Sequence, residues 1–205
     1  METVPGAACG MHLCITAGSP LTKPASLMIP DGTFDKSVWA LQKPCDLQEL
    51  ETELRAQIQR FRELTGQLPE HLDSHHGIER IPGGAAILVK LAWEYDRPLR
   101  QFIAFPMEEG DTPFEVPALV LVSSQNDDPL TPEDILERVR EFGAADTVEL
   151  ALHPGRADED LARLSGLTTG RNQDAANLMS ETFGRFLDRE DVQLISWQDL
   201  ARSRC

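Results

Sequence analysis

Between Asp46 and Gly66 the apolar residues Leu47, Leu50, Leu54, Ile58, Phe61 and Leu64 recur at helical spacing, with an aspartate suited to cap the start and a glycine suited to stop the end. This helix constrains the fold because strand-like segments flank it, GMHLCIT before it and LPEHLDSH after it. The rest of the chain continues the alternation. Pro82 opens a second helix through Ala85, Leu88, Leu91 and Trp93, and PLRQFIA and ALVLVSS are two further strand candidates. Thr131-Pro132-Glu133-Asp134 predicts a helix start for the stretch to Phe142, since Thr can cap, Pro suits the first helical position and the acids favour the positive end of the dipole. VELALH follows as strand, Arg171 to Leu187 as helix, and VQLIS as a last strand with Ser196 capping a final short helix.

Such alternation predicts one α/β domain over residues 1–205, a layer or a barrel with parallel strands. Two loops interrupt it. Gly18 to Asp35 carries turn residues at Pro20, Pro30 and Asp31-Gly32, and the acidic, Pro- and Gly-bearing stretch Phe105 to Pro117 is the segment expected to be mobile.

Composition narrows the function classes. A formal charge of −15 opposes a general nucleic-acid or anionic-membrane surface, which needs clustered Lys and Arg. The start METVPGAACG has no secretory apolar core, and the longest apolar run, GGAAILVKLAW, is too short to span a bilayer. A cytoplasmic protein without a membrane partner is expected. Cys9, Cys14, Cys45 and Cys205 lack CxxC spacing and are read as free thiols.

Histidine is concentrated. HLDSHHG, His71 to Gly77, holds three of the five histidines, and the others are His12 in GMHLCIT and His153 in VELALHPG. Residues two apart on a strand share a face, so His71, Asp73 and His75 are expected to project together, with His76 opposite or in the loop. His12 and His153 each sit in or just after a predicted strand, and strand ends on one rim of a parallel α/β protein converge. The same residues have structural readings: a strand histidine often caps a carbonyl, His-Pro is a turn-forming pair, and Asp73 can serve as a strand-end hydrogen-bond acceptor.

GMHLCITAGSP, the Asp31 to Phe34 element, QIQRFRELTGQLPEHLDSHH, the Pro98 to Arg100 triplet and ALHPG together resemble the YdjC-like carbohydrate deacetylases, over most of the chain. The resemblance implies an incomplete or distorted (β/α) barrel holding one divalent metal, zinc or magnesium, that removes acetyl groups from N-acetylated amino sugars or oligosaccharides. It assigns His12 and His75 as metal ligands, His153 as a catalytic residue near the reacting amide, and Arg100 as a basic residue near the site. Asp73 becomes a candidate to orient a metal-bound histidine.

The family's opening Asn-Ala-Asp-Asp-Phe-Gly segment, source of a base and a third metal ligand, has no counterpart here, and Gly77 stands where the family has a third histidine. A first strand–helix unit, roughly 30 residues or more with its following strand, is therefore expected to be missing. Asp73, Asp31 and Asp35 are the candidate replacement carboxylates. An open sheet edge would favour a homo-oligomer. The alternative function is a catalytically dead member acting as a sugar-binding or protein-interaction module.

Overall fold

The computed structural model describes residues 9–102, 107–108, 110–112, 114, 116–141, 147–189 and 192–202. Within it the chain forms two compact units, Met1–Val116 with Ser196–Cys205, and Pro117–Ile195.

In the first unit β1 (Met11–Leu13) and β2 (Leu72–Ser74) pair in parallel, with Met11 beside Leu72, His12 beside Asp73 and Leu13 beside Ser74. A parallel pair needs a long crossover, here α1 (Lys36–Trp39) and the 19-residue α2 (Leu47–Thr65). The sequence reading of α2 matches: the Asp46 side chain accepts from the backbone N–H groups of Gln48 and Glu49, and Gly66 closes the helix in the left-handed region at φ 78°. Leu50, Leu54 and Ile58 pack from α2 into a core with Leu13, Ile15, Leu72, Ile78, Leu88 and Leu91. Two polar residues share this buried face. Glu53 accepts from the Leu21 and Thr22 backbone N–H groups and the Thr22 hydroxyl, and Gln57 bonds both the N–H and the carbonyl of Cys14. Burial raises the Glu53 pKa, but the hydrogen bonds from Gln57, Thr22 and Leu21 outweigh it and hold the carboxyl below its usual value. α2 thus fixes the chain leaving β1 as well as packing against it.

β2 is shorter than LPEHLDSH suggests because the chain turns at once. His76 and Gly77 take positive φ of 59° and 82°, and the Ser74 hydroxyl, donating to Glu79 and accepting from the Ile78 N–H, pins the bend into a 3₁₀ turn at Ile78–Arg80. That turn delays α3 (Gly84–Tyr95) past Pro82. Gly84 abuts the Ile78 carbonyl, where an added Cβ would lie 2.2 Å from the oxygen, so only glycine fits this junction. PLRQFIA contributes one parallel bridge, Leu99 to Leu72, and Gln101 and Phe102 are not strand. Residues 103–106, and parts of the Phe105 to Pro117 stretch expected to be mobile, lie outside the described residues.

The second unit repeats the theme. β3 (Ala118–Leu121) and β4 (Val148–Ala151) pair in parallel across α4 (Pro132–Glu141), and Val122, Leu130, Ile135, Leu136 and Phe183 form its core. Thr131 and Asp134 bond reciprocally at the start of α4, as its helix-start pattern predicts. α5 (Glu159–Leu164), capped by Asp158, was not legible in the sequence. The helix expected from Arg171 to Leu187 is broken into α6 (Thr169–Leu178) and α7 (Glu181–Leu187), because Ser180 adopts extended geometry and its hydroxyl accepts from the Phe183 N–H. VQLIS forms no strand: Leu194 is exposed and no described segment pairs with it. Ser196 caps the final α8 (Trp197–Arg202) as expected.

The observed class is mixed α/β with parallel strands. Cys9, Cys14 and Cys45 are free thiols, while Cys205 lies outside the described residues. No described helix is long and apolar enough to cross a membrane.

Candidate active site

The parallel register sets His12 directly beside Asp73, and neighbouring strand residues in register project to the same face. The contact follows: His12 Nδ1 lies 2.8 Å from Asp73 Oδ1. Arg100, in the segment bridged to β2, completes the row by placing a guanidinium nitrogen 2.5 Å from Asp73 Oδ2. The Asp73 side chain is only 7% exposed, so this carboxylate is held by its partners and not by water. Burial pushes its pKa up, but the His12 hydrogen bond and the Arg100 charge outweigh burial and keep the carboxyl below its usual range.

Past the ends of β1 and β2 a second group assembles. His75 continues the ladder by donating its N–H to the Leu13 carbonyl at 2.8 Å, which brings its ring 5.3 Å from that of His12. The Thr16 hydroxyl lies 2.8 Å from His75 Nδ1 and 3.0 Å from His76 Nδ1, and Cys14 Sγ lies 3.3 Å from His75 Nδ1. His76 lies in the loop after β2, the second of its two expected placements, and does not point away from the cluster as strand alternation would have it. Its positive φ swings the ring to within 3.7 Å of His75. Burial, then the neighbouring His75, His12 and Lys36, lower the His76 pKa. Trp39 of α1 donates its indole N–H to the His76 carbonyl at 2.7 Å and holds the turn in place.

His71 stands apart from this group. Its ring stacks on Trp197 at 4.7 Å, and its buried Nδ1 has no hydrogen-bond partner. Gly10 leaves the room it needs, since a Cβ there would lie 2.0 Å from the ring. Burial drives the His71 pKa down to about 4, so this imidazole is neutral across the physiological range. Of the face expected from His71, Asp73 and His75, only Asp73 and His75 reach the cluster.

In the second unit His153 follows β4, its Nδ1 lying 2.7 Å from the Ser123 hydroxyl and its backbone N–H donating to Asp174 at 2.8 Å. Asp174 is fully buried and accepts from Ser123 and from the Ser124 N–H as well. Asp31 and Asp35 have local roles. Asp31 accepts from Thr33 in its turn, and Asp35 caps α1 while pairing with Lys43, which together with Ser37 lowers its pKa to about 2.

The donor chemistry suits part of a metal site. A histidine whose Nδ1 is tied to a carboxylate presents Nε2 in the tautomer and orientation that a metal requires, as His12 does. A catalytic zinc takes three protein ligands, and the described residues contain no group of three His, Cys, Asp or Glu side chains placed to hold an ion. The sequence reading identified His12, Asp73, His75, Arg100 and His153 but not Thr16, Trp39, Ser123 or Asp174. Ser123 and Ser124 carried a faint signal as polar residues ending a strand. Asp174, one acid among several in a polar helix, carried none.

Residues 1–189 match the family model described as YdjC-like protein. The chain is 30% identical to carbohydrate deacetylase 2 of Listeria innocua serovar 6a over 94% of its own length and 77% of that protein. It is 33% identical to a carbohydrate deacetylase of Listeria welshimeri serovar 6b over 96% of its length and 79% of that protein. A crystal structure from Enterococcus faecalis V583, named a cellobiose-phosphate cleavage protein, superposes with a TM-score of 0.78 at 25% identity, covering 96% of this chain and 78% of that one. On this sequence match and the agreement in fold, the chain belongs to the YdjC-like protein family.

Proposed function

We propose that this protein is a carbohydrate deacetylase that hydrolyses the acetamide of N-acetylated amino sugars or oligosaccharides with a divalent metal, zinc or magnesium, held by His12 and His75. The observation that carries the reading is the pair of imidazoles 5.3 Å apart, His12 on β1 and His75 just past β2, one of them fastened by a buried carboxylate. The names of the matched relatives supply the reaction class. A divalent metal at such a site supplies Lewis acidity toward the amide carbonyl and toward a water molecule.

Each residue has a distinct task. Asp73 accepts the hydrogen bond of His12 Nδ1–H, which leaves the lone pair at Nε2, and Arg100 keeps Asp73 ionised for that task. Thr16 and Cys14 fix the His75 ring from its Nδ1 side. His153 is assigned proton transfer to the leaving amine, since an expelled amine must be protonated as the C–N bond breaks. Acetate release from N-acetylated chitooligosaccharides, abolished by a chelator and restored by metal, is the expected result. Intact substrate at high enzyme concentration with metal present would refute turnover.

A second reading, a sugar-binding member without turnover, is favoured by one observation: the described residues offer no third metal donor. Calorimetry with the same oligosaccharides separates the two, since this reading predicts binding without acetate.

A further inference from the structure

The Asp174 carboxylate accepts from the Ser124 backbone N–H at 2.7 Å, from the His153 backbone N–H at 2.8 Å and from the Ser123 hydroxyl at 2.8 Å. A serine hydroxyl has one proton, and here Asp174 receives it. The Ser123 oxygen is left with lone pairs alone to offer His153 Nδ1, 2.7 Å away, so that nitrogen must carry the hydrogen. We propose that Asp174 and Ser123 are positioning residues that lock His153 in its Nδ1–H tautomer, placing the neutral ring's lone pair and the imidazolium's transferable proton at Nε2.

The fold builds this chain of hydrogen bonds from three elements. Ser123 and His153 follow β3 and β4, which run parallel and so end at the same edge, and Asp174 reaches them from α6. α6 approaches closely enough only because residue 170 is glycine, where a Cβ would sit 2.5 Å from the Ser124 carbonyl oxygen. Full burial of Asp174 keeps water from competing for the serine proton. The same counting gives the lock a direction. During proton transfer Nδ1–H goes on donating to Ser123, so only Nε2 changes its protonation, and the imidazolium is stabilised through Ser123 by the buried carboxylate.

The catalytic meaning of the lock rests on the reading of His153 as proton donor, whereas the tautomer does not. ¹⁵N NMR of the imidazoles in the full chain, at a pH where His153 is neutral and with its signals assigned by their loss in His153→Gln, tests the lock directly. A pyrrole-type Nδ1 and a pyridine-type Nε2 are expected. A wild-type ring protonated at Nε2 overturns the proposal whatever any variant does. Ser123→Ala is expected to shift the ring toward the Nε2–H tautomer, to lower kcat about 10- to 100-fold with KM unchanged, and to alter the pH profile of kcat. Ser123→Thr, which keeps the hydroxyl, restores both tautomer and rate. A Ser123→Ala protein that keeps the Nδ1–H ring refutes the role of Ser123. Full kcat in His153→Gln overturns the proton-donor reading instead, and with it the catalytic purpose of the lock.

Discussion

Replacing Asp73 by asparagine changes one atom and reverses a hydrogen bond. The guanidinium of Arg100 only donates, so the amide oxygen of the variant must face it, and the amide NH2 then faces His12 Nδ1. His12 must accept there, which moves its hydrogen to Nε2, the nitrogen assigned to the metal. Hydrogen bonds to charged groups contribute about 1.5–3 kcal/mol each. The His12 side chain is half exposed, so its bond contributes little, whereas the Arg100 contact is partly buried. The variant keeps that contact but loses its charge, so the loss is the difference between a charged and a neutral hydrogen bond, about 1 kcal/mol, and for a chain of 205 residues about 2–4 °C in Tm. Metal affinity should fall about 10- to 100-fold. Thermal melting by circular dichroism and calorimetric titration with zinc measure the two effects separately. An Asp73→Asn protein that melts with the wild type and binds zinc equally well would refute the argument.

Further outcomes follow from the same contacts. His75→Ala should lose most metal binding, while His153→Ala should keep metal and lose about 10²- to 10⁴-fold in hydrolysis, both read from metal content and acetate release; equal metal loss in the two contradicts the division of roles. Unfolded His71 takes up a proton below about pH 6.5 and the folded ring resists until about 4, so its contribution to stability is complete above pH 6.5 and lost as pH falls toward 4. At about 1.4 kcal/mol per pH unit this is at most about 3 kcal/mol, and denaturant melts of wild type and His71→Gln should converge across that window. Gly170→Ala should cost about 1–3 kcal/mol by pushing α6 from the Ser124 carbonyl, which denaturant unfolding would show; an unchanged midpoint counts against that close approach.

The elements legible in the sequence were those with a local cause. Asp46 and Gly66 bounded α2, and Thr131-Pro132 opened α4, because capping acts within one turn. Where tertiary contacts decide, local reading went astray. Gly84 delayed α3 behind a 3₁₀ turn, and Val192 to Ser196 had strand composition without a partner strand among the described residues, whereas the Ser180 cap that split α6 from α7 was a local signal overridden by the helical periodicity around it. The site divided in the same way. His12 and Asp73 were nameable, but their contact depends on a register between strands 61 residues apart. His76 joined the cluster through a left-handed backbone that strand alternation does not anticipate, and His71 left it to stack on Trp197 from the other end of the chain.

The central claim, that His12 and His75 together hold the metal for amide hydrolysis, is tested most directly by one paired measurement. Acetate release from N-acetylated chitooligosaccharides is followed for the wild type and for His12→Ala/His75→Ala, each after chelation and again after titration with zinc or magnesium. Metal should restore release in the wild type alone, in step with binding of one ion. Release that survives chelation, or that metal restores equally in the double variant, would contradict the assignment.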